Sequence, residues 1–312
     1  MTVDILLTVY NGMPYLPEQL RSLQAQTHRE WRLWVRDDGS TDSTVEAVQA
    51  FAEEDERIRL LEGGGTRLGA LGGFAWLLEH AAPGADYLMF CDADDLLLPE
   101  KVAHTLASMR RAEAEFGSTV PVIVHTDLTV VDAELRVINE SLWKYQGIQP
   151  EFDTLERLLM QNCVTGCASM VNRPLRELAG TVPPEAFMHD WWLALVASCF
   201  GRIVCLSTPT ILYRQHGRND SGPGRHGAAY LLRKALTAYD TMRLQDTLRR
   251  TAAQAGAFLR RYGSEMDPQH RRLVGQYAEI PHVGPIRRKM RLLELGTLKH
   301  GLARNIGLIL RA

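Results

Sequence analysis

The feature that most constrains the fold is an alternation of short apolar runs and amphipathic segments over the first two thirds of the chain. Residues 3–9 form a nearly continuous apolar run, which is typical of a strand buried on both faces. Leu16, Leu20 and Leu23 follow at helical spacing. The alternation continues with strands predicted at 31–35, 58–61, 87–91 and 120–125. It predicts an α/β fold with a mostly parallel sheet flanked by helices.

The alternation loosens after about residue 128. Residues 128–150 indicate a hairpin and a loop, a helix is predicted to begin near Met188, and short strands are predicted at 203–206 and 210–213. The glycine-rich stretch at 218–224 is the clearest linker in the sequence. We therefore predict a first domain over 1–217, a linker over 218–224 and a helical C-terminal region over 225–312.

Composition and charge narrow the class of protein. The formal net charge of -2 provides no overall basic field for nucleic acid. The five cysteines are scattered without a C-x-x-C pair, which indicates reduced thiols in a reducing compartment. We see neither a basic signal-peptide region at the start nor an apolar stretch near the roughly 20 residues of a membrane span. We expect a cytoplasmic protein.

The end of the chain is basic and amphipathic. From Ile286 onward, lysines and arginines alternate with leucines and isoleucines, and Glu294 is the single acid. Such a segment suits an anionic membrane surface, so we expect peripheral binding at the inner face of the cell membrane. The alternative is a terminal helix packed on the main domain with a solvated cationic face, or contact with another subunit.

Two groups of acidic side chains follow predicted strands. Asp37 and Asp38 follow the second strand, and Asp92, Asp94 and Asp95 follow the fourth. Ligands bind at the carboxyl ends of strands in open α/β sheets, so both groups are expected at one edge. Carboxylates gathered there need a cation or hydrogen-bond donors between them. Asp oxygens suit Mg²⁺ or Mn²⁺ bridging to a substrate phosphate, which predicts a metal and nucleotide site.

Six short motifs occur in the order and at the spacing of family 2 glycosyltransferases, which the sequence resembles. They are TVYNG (8–12), DDGSTD (37–42), CDADD (91–95), TG (165–166), HDWW (189–192) and YRQH (213–216). Each motif alone is weak, but the ordered set is specific. The resemblance implies a GT-A (Rossmann-like) catalytic domain over 1–217. It also implies an inverting, metal-dependent transfer of a sugar from a nucleoside diphosphate sugar to a hydroxyl of a lipid-linked or growing surface glycan.

The resemblance further implies a role for individual residues. Asp190 would be the catalytic base, and Asp94 would bind Mg²⁺ or Mn²⁺, with His216 ligating the metal or closing over the pyrophosphate. Asp38 would accept a hydrogen bond from the nucleobase. The other nucleotide and donor residues implied are Thr8, Val9, Tyr10, Asn11, Asp37, Arg67, Asp92, Ala93, Asp95 and Arg214. The acceptor residues implied are Thr165, Gly166, Trp191 and Trp192.

Several of these residues also have purely structural interpretations. Asp37 and Asp38 could form a turn before a helix, and Asp190 could be only a helix cap. At least one of Trp191 and Trp192, which are adjacent on a helix, should face the core. We assign no functional role to His189 and the remaining histidines.

The donor and the class of protein have alternatives. The CDADD, HDWW and YRQH combination is similar to bacterial rhamnosyltransferases of surface polysaccharide synthesis, which suggests dTDP-L-rhamnose as the donor. A UDP-hexose or UDP-N-acetylhexosamine is the alternative, because uracil and thymine present the same hydrogen-bonding edge. A chain of this fold could also be an inactive glycan-binding or scaffold protein. The run Gly63–Gly65 resembles the phosphate loop of sugar nucleotidyltransferases but follows the third strand instead of the first.

Overall fold

The computed structural model describes residues 1–62, 66–216 and 238–312, with side chains omitted for 238–241. The predicted linker at 218–224 and the glycine run at 63–65 lie outside the described residues.

The first third of the chain forms the parallel half of a mixed sheet. Its strands are β1 (Val3–Val9), β2 (Trp31–Asp37), β3 (Ile58–Leu60) and β4 (Tyr87–Cys91), in the order β3-β2-β1-β4. The intervening helices are α1 (Leu16–Gln24), α2 (Thr44–Glu54) and α3 (Gly69–His80). The apolar side chains of β1 are almost fully buried, as expected of a strand covered on both faces. The parallel pairing brings the carboxyl ends of β1, β2 and β4 together.

The sheet continues as β4-β8-β6-β9-β5, with β7 paired to β6. These strands are β5 (Leu96–Leu97), β6 (Val122–Val131), β7 (Val137–Asn139), β8 (Ser169–Asn172) and β9 (Arg202–Arg214). The helices between them are α4 (Lys101–Phe116), α5 (Leu142–Gln146), α6 (Leu155–Met160), α7 (Arg173–Ala179) and α8 (His189–Phe200).

The sheet of this second half is only partly parallel. β8 runs antiparallel to both β4 and β6, because the chain enters it from a 3₁₀ turn at Gly166–Ala168 and crosses back. The predicted hairpin is confirmed as β6–β7, and the helix near Met188 as α8. The two short strands predicted at 203–206 and 210–213 form one strand, β9, whose register against β6 shifts near Asp127. The α/β fold class predicted from the sequence is confirmed.

The C-terminal region is helical and shares the main core. Its helices are α9 (Ala238–Tyr262), α10 (Pro268–Ala278), α11 (Pro285–Glu294) and α12 (Leu302–Arg311). Phe258 and Tyr262 of α9 are buried, and their rings lie 5.4 and 6.0 Å from that of Trp192 in α8. The basic end is thus divided into two helices, separated at Gly296 and Gly301, both of which have positive φ. Within the described ranges, no helix is both long and apolar enough to cross a bilayer.

Candidate active site

The loops that follow β1 and β2 are fastened to each other by hydrogen bonds. The Asn11 N–H donates to Ser40 Oγ over 2.9 Å, and the Thr41 N–H donates to Asn11 Oδ1 over 2.8 Å. The Asp38 N–H donates to the Val9 carbonyl over 2.8 Å. Asn11 has φ 47, a left-handed conformation that Asn tolerates better than most residues. The sequence motifs TVYNG and DDGSTD therefore form a single rigid platform.

Asp38 is buried beneath this platform, and both of its carboxylate oxygens accept hydrogen bonds. It is 3% exposed and accepts from the Arg36 guanidinium, from the Leu68 N–H over 2.7 Å and from the Gly69 N–H over 2.8 Å. Burial would raise the pKa of Asp38, but these hydrogen bonds outweigh it and hold the pKa below its usual value. Asp38 fixes the start of α3, and its predicted hydrogen bond to a nucleobase stays a prediction.

As the structural interpretation of its sequence predicts, Asp37 forms the turn before a helix. Its Oδ2 accepts from the Gly39 and Ser40 N–H groups, each over 3.0 Å. Its Oδ1 is buried and has no hydrogen-bond partner among the described residues. An unpaired buried carboxylate oxygen is costly, so this atom is the more available acceptor of the two neighbouring aspartates.

Tyr10 and Arg67 form the accessible rim of the platform. Tyr10 is 40% exposed, and the Arg67 guanidinium lies 4.0 Å from its ring centroid, a cation–π geometry. Thr8 lies where β1 and α3 pack closely against each other. A Cβ at Gly73 would lie only 2.2 Å from Thr8 Oγ1, so α3 can approach β1 this closely only with glycine at 73.

The acidic loop after β4 contains a carboxylate at the surface and another in the interior. Asp94 is partly exposed, and its Oδ2 lies 2.8 Å from His216 Nε2. Asp92 and Ala93 are also partly exposed. Asp95 is 1% exposed and accepts from the Arg214 N–H over 3.0 Å. Burial, with the charges of Asp92 and Asp94, raises the pKa of Asp95 well above its usual value.

Arg214 holds the acidic loop in place. It is 2% exposed, and its guanidinium donates to the Asp94 carbonyl over 2.9 Å, the Ala133 carbonyl over 2.6 Å and Glu18 Oε2 over 2.6 Å. The same guanidinium lies 4.6 Å from the ring centroid of Tyr15. These contacts give Arg214 a structural role beside the predicted donor-binding one, which stays a prediction.

The residues fit a divalent cation at Asp94 and His216. The imidazole of His216 stacks on Tyr15 at 4.7 Å, which fixes its orientation toward Asp94. A carboxylate and an imidazole together suit Mn²⁺ better than Mg²⁺, which prefers oxygen alone. A second grouping, Asp92, Asp95 and Cys167, has ligand atoms within 4.8 Å of one another. Burial raises the pKa of the Cys167 thiol well above its usual range, and Asp95 is enclosed, so this grouping is the poorer metal site.

Asp190 lies at the first turn of α8, in a pocket that disfavours its charge. It is 8% exposed and accepts from the Trp191 N–H over 2.6 Å and from the Gly166 N–H. Burial raises the pKa of Asp190 to about 7, in spite of these backbone hydrogen bonds. A carboxyl group with this pKa can take up a proton at neutral pH, which suits a general base.

The predicted acceptor residues divide into two groups. Gly166 faces Asp190 directly, since a Cβ there would lie 3.4 Å from the Asp190 Cβ, and the adjoining Thr165 is partly exposed. Trp191 and Trp192 are instead buried, 7% and 0% exposed, and the prediction that they stack on an acceptor sugar is wrong. Trp191 donates to the Leu158 carbonyl over 2.5 Å, and α9 covers Trp192. The sequence could not reveal this because the covering helix lies far along the chain.

Sequence reasoning missed several residues that shape the site. Glu18 of α1 and Tyr15, the residue before that helix, contact Arg214 and His216, although nothing in the sequence relates positions so far apart. His189, to which no role was given, is enclosed between Phe74 and Phe90 beside Asp190. Burial lowers the pKa of His189 to about 3, so it adds no charge beside Asp190 at neutral pH.

The comparisons with known proteins agree with this geometry. A family model described as glycosyl transferase family 2 matches residues 4–178. The chain is 27% identical over 169 residues to the UDP-Glc:alpha-D-GlcNAc-diphosphoundecaprenol beta-1,3-glucosyltransferase WfgD of Escherichia coli, covering 54% of this chain and 59% of WfgD. It is 26% identical over 214 residues to TuaG of Bacillus subtilis, provisionally named a glycosyltransferase of teichuronic acid biosynthesis, covering 66% of this chain and 77% of TuaG.

Two solved structures share the fold. One is TarS 1-349 of S. aureus in complex with UDP-GlcNAc, with a TM-score of 0.58 and 17% identity over 90% of this chain and 72% of TarS 1-349. The other is the mannosyltransferase PcManGT of Pyrobaculum calidifontis in complex with GDP-Man and Mn²⁺, with a TM-score of 0.52 and 17% identity over 95% of this chain and 85% of that one. The family match covers more than half of the chain and contains both acidic loops, and we conclude that the chain belongs to glycosyl transferase family 2.

Proposed function

We propose that the chain is an inverting glycosyltransferase that moves a sugar from a nucleoside diphosphate sugar to a hydroxyl of a lipid-linked or growing surface glycan. The observation that carries this proposal is Asp190, a buried carboxyl group with a pKa of about 7 that accepts from the Gly166 and Trp191 N–H groups. Membership of glycosyl transferase family 2 and the names of WfgD and TuaG support the reaction class and the surface-glycan setting.

In this mechanism Asp190 accepts the proton of the acceptor hydroxyl as that oxygen attacks the anomeric carbon. One carboxylate on the face opposite the leaving group suffices for inversion. The N–H groups of Trp191 and Gly166 hold the carboxylate in one orientation and partly offset the cost of its charge. Asp190 must lose its proton before each turnover. Because burial raises the pKa of Asp190 to about 7, the fraction of the enzyme with an ionised Asp190 depends on pH near neutrality.

The leaving nucleoside diphosphate is proposed to lie between the Tyr10–Arg67 rim and the acidic loop. When bound, a divalent metal at Asp94 and His216, preferably Mn²⁺, would offset the negative charge that develops on the diphosphate. Arg67 is the exposed cation on this side, whereas Arg214 acts by holding Asp94 and Asp95 in position. The Asp37 Oδ1 atom is the acceptor that we assign to the nucleobase or ribose.

For the donor we keep dTDP-L-rhamnose as the proposal suggested by the motif combination, with UDP-sugars as the alternative. The name of WfgD contains UDP-Glc, and TarS 1-349 is bound to UDP-GlcNAc, so these two proteins favour the UDP alternative. Both donors carry a pyrimidine nucleotide, and titration with dTDP and with UDP distinguishes which of the two the chain binds.

Calorimetric titration with dTDP, UDP and GDP, each with and without Mn²⁺, tests the proposal. We expect Mn²⁺-dependent binding of one pyrimidine nucleotide, and loss of the Mn²⁺ effect in Asp94→Ala. Asp132→Ala is the matched control, because Asp132 is an acid on the β6–β7 hairpin that pairs with Arg136. Absence of binding to all three nucleotides would overturn the proposal and leave the inactive scaffold as the better interpretation.

We also propose that α11 and α12 dock on an anionic membrane, where a lipid-linked acceptor resides. Ile286, Leu302 and Leu310 are 77%, 77% and 68% exposed, although each is large and apolar. Arg287 is exposed beside Ile286. Exposed apolar side chains with neighbouring cations are the features of an interfacial helix.

Co-sedimentation with vesicles of phosphatidylglycerol and phosphatidylcholine tests this docking. The double change Leu302→Asp with Leu310→Asp should remove vesicle binding. The matched control is Val137→Asp with Ile138→Asp, since these apolar residues are 60% and 41% exposed on the β6–β7 hairpin. Equal binding by the wild type and the α12 variant would contradict the proposed membrane surface.

A further inference from the structure

A cavity separate from the acidic loops opens on the half of the sheet that contains β6 and β9. It has a volume of about 720 Å³ and lies between α5, the loop at 148–151 and β9. Trp143, Lys144, Glu151 and Ser207 are among the residues that line it. None of the predicted site residues contributes to this lining.

The cavity wall is held by a buried carboxylate. Asp127 is 3% exposed and accepts from the Leu128 N–H over 2.8 Å, from the Trp143 N–H over 3.2 Å and from the Ser141 hydroxyl. Ser141 in turn accepts from the Lys144 N–H over 3.1 Å and caps the first turn of α5. The helix that carries Trp143 and Lys144 is therefore fixed before any ligand arrives.

The lining combines an indole, hydroxyl and carboxylate groups, and a single ammonium. Trp143 is 6% exposed, and its buried indole N–H has no hydrogen-bond partner among the described residues. The indole ring therefore contributes an apolar wall, and Ser207, Glu140 and Glu151 provide the hydroxyl and carboxylate groups of the lining. Glu140 and Glu151 outnumber Lys144, which disfavours a phosphate or an acidic sugar. Hydroxyl-rich neutral ligands, such as sugars, fit this set of groups best.

Elements next to the cavity contact both α8 and α12. The Asp153 carbonyl, next to the cavity loop, accepts from the Ser198 hydroxyl of α8 over 2.8 Å. Ser198 lies about 12 Å along that helix from Asp190, which exceeds the width of one sugar ring. Arg304 of α12 donates to the Gln146 and Gly147 carbonyls at the end of α5. The cavity therefore has neighbours that are hydrogen-bonded to the helix of Asp190 and to one of the helices proposed to dock on a membrane.

We propose that this cavity binds a non-reacting, neutral sugar residue of the acceptor glycan, at a distance from the hydroxyl that Asp190 activates. The proposal rests on the proposed transferase function, because it names a part of the acceptor of that reaction. It explains why a cavity with a fixed wall is placed beside helices that contact the membrane. It also assigns acceptor recognition to Trp143, which the sequence motifs do not include.

Cys205 supplies an intrinsic probe, since it lines the cavity and is exposed, whereas Cys91, Cys163 and Cys167 are buried. In a Cys199→Ser background, the rate of Cys205 alkylation by a maleimide is measured by mass spectrometry. The added glycans are cellotetraose, N-acetylchitotetraose and the anionic tetragalacturonate. A neutral tetrasaccharide at ten times its Kd should slow alkylation about tenfold, and tetragalacturonate should not.

Ser207→Trp fills the cavity and should abolish the glycan effect, measured as the ratio of alkylation rates with and without glycan. Thr208→Trp is the matched control, because Thr208 is exposed beside Ser207 and outside the lining. If no neutral tetrasaccharide protects Cys205, or if tetragalacturonate protects it best, the proposal is overturned. Nucleotide titration on the same sample shows whether the transferase function stands when the cavity proposal fails.

Discussion

Asp38 and Asp190 are both buried aspartates of the candidate site, yet their surroundings push their pKa values in opposite directions. Asp38, under the platform of the β1 and β2 loops, is paired with Arg36 and two backbone N–H groups, and its pKa is lowered. Asp190, at the start of α8, accepts only backbone N–H groups, and burial raises its pKa to about 7. Compensation of the charge, and not burial alone, decides between the two.

The comparison separates a carboxylate whose charge is compensated from one whose charge is not. A permanently ionised Asp38 keeps the Arg36 cation neutralised and anchors the first residues of α3. A carboxyl group poised near neutrality at Asp190 can exchange its proton during turnover. In the sequence, Asp38 and Asp190 are each an aspartate within a short motif, DDGSTD and HDWW. Only the hydrogen-bond and charge partners of each carboxylate in the folded structure distinguish the two.

The largest effect is expected from Asp190→Asn. The substitution removes the proton acceptor while preserving the shape of the side chain, so kcat for transfer should fall by about 10²–10⁴-fold. Nucleotide binding, measured by calorimetry, should stay as in the wild type, because Asp190 lies away from the β1 and β2 loops. Transfer at a rate close to that of the wild type would show that Asp190 is only a helix cap.

Asp38→Asn should mainly lower the free energy of unfolding. It leaves the Arg36 guanidinium, which is 1% exposed, without its counter-charge, and removing one partner of a buried pair costs about 3–5 kcal/mol. Urea unfolding measures this loss. The control is Asp132→Asn, which weakens the exposed pair with Arg136 and should destabilise the chain much less than Asp38→Asn. Equal losses in the two variants would remove the structural role given to Asp38.

The stability of Asp190→Asn should also depend on pH in a defined direction. Because the folded pKa of about 7 exceeds the usual value of 3.8, the wild type binds more protons folded than unfolded between these values. Its free energy of unfolding therefore falls as pH rises through this window, by up to about 1.4 kcal/mol per pH unit. The Tm of the variant should rise relative to the wild type from pH 4 to pH 7 and level off above. A constant difference would contradict the raised pKa.

The smallest effect is expected at the exposed rim. Arg67→Ala removes an exposed cation beside the proposed position of the diphosphate, and an exposed ion pair is worth about 0.2–1 kcal/mol. Nucleotide affinity should therefore weaken by up to about fivefold, and loss of the contact with Tyr10 should lower Tm only slightly. Arg59→Ala, which removes a cation near Trp34 away from the rim, is the control and should leave affinity unchanged.

Local sequence patterns predicted most of the framework correctly. The apolar runs located β1 to β4, and their carboxyl ends meet as the parallel pairing requires. The metal site at Asp94 and His216 stays a prediction, and the structure brings the two side chains to 2.8 Å. The strand predictions succeeded because short apolar runs between helical segments mark strands buried on both faces.

The features that sequence reasoning missed depend on packing between distant parts of the chain. The partner of Arg214, Glu18, lies in the first helix, and nothing in the sequence relates the two positions. The spacing predicted that at least one of Trp191 and Trp192 faces the core, and both are buried because α9 also covers α8. The antiparallel direction of β8 depends on its pairing with β4 and β6, which apolar periodicity does not report.

The pH dependence of kcat/KM for transfer tests the central claim most directly, because it reports the ionisation of the base in the free enzyme. With Mn²⁺ held saturating, the value for the wild type should rise about tenfold per pH unit below pH 7 and level off above it. This follows from the pKa of about 7 at Asp190. A profile that stays flat from about pH 5 to pH 9 would contradict Asp190 as the base of this transferase.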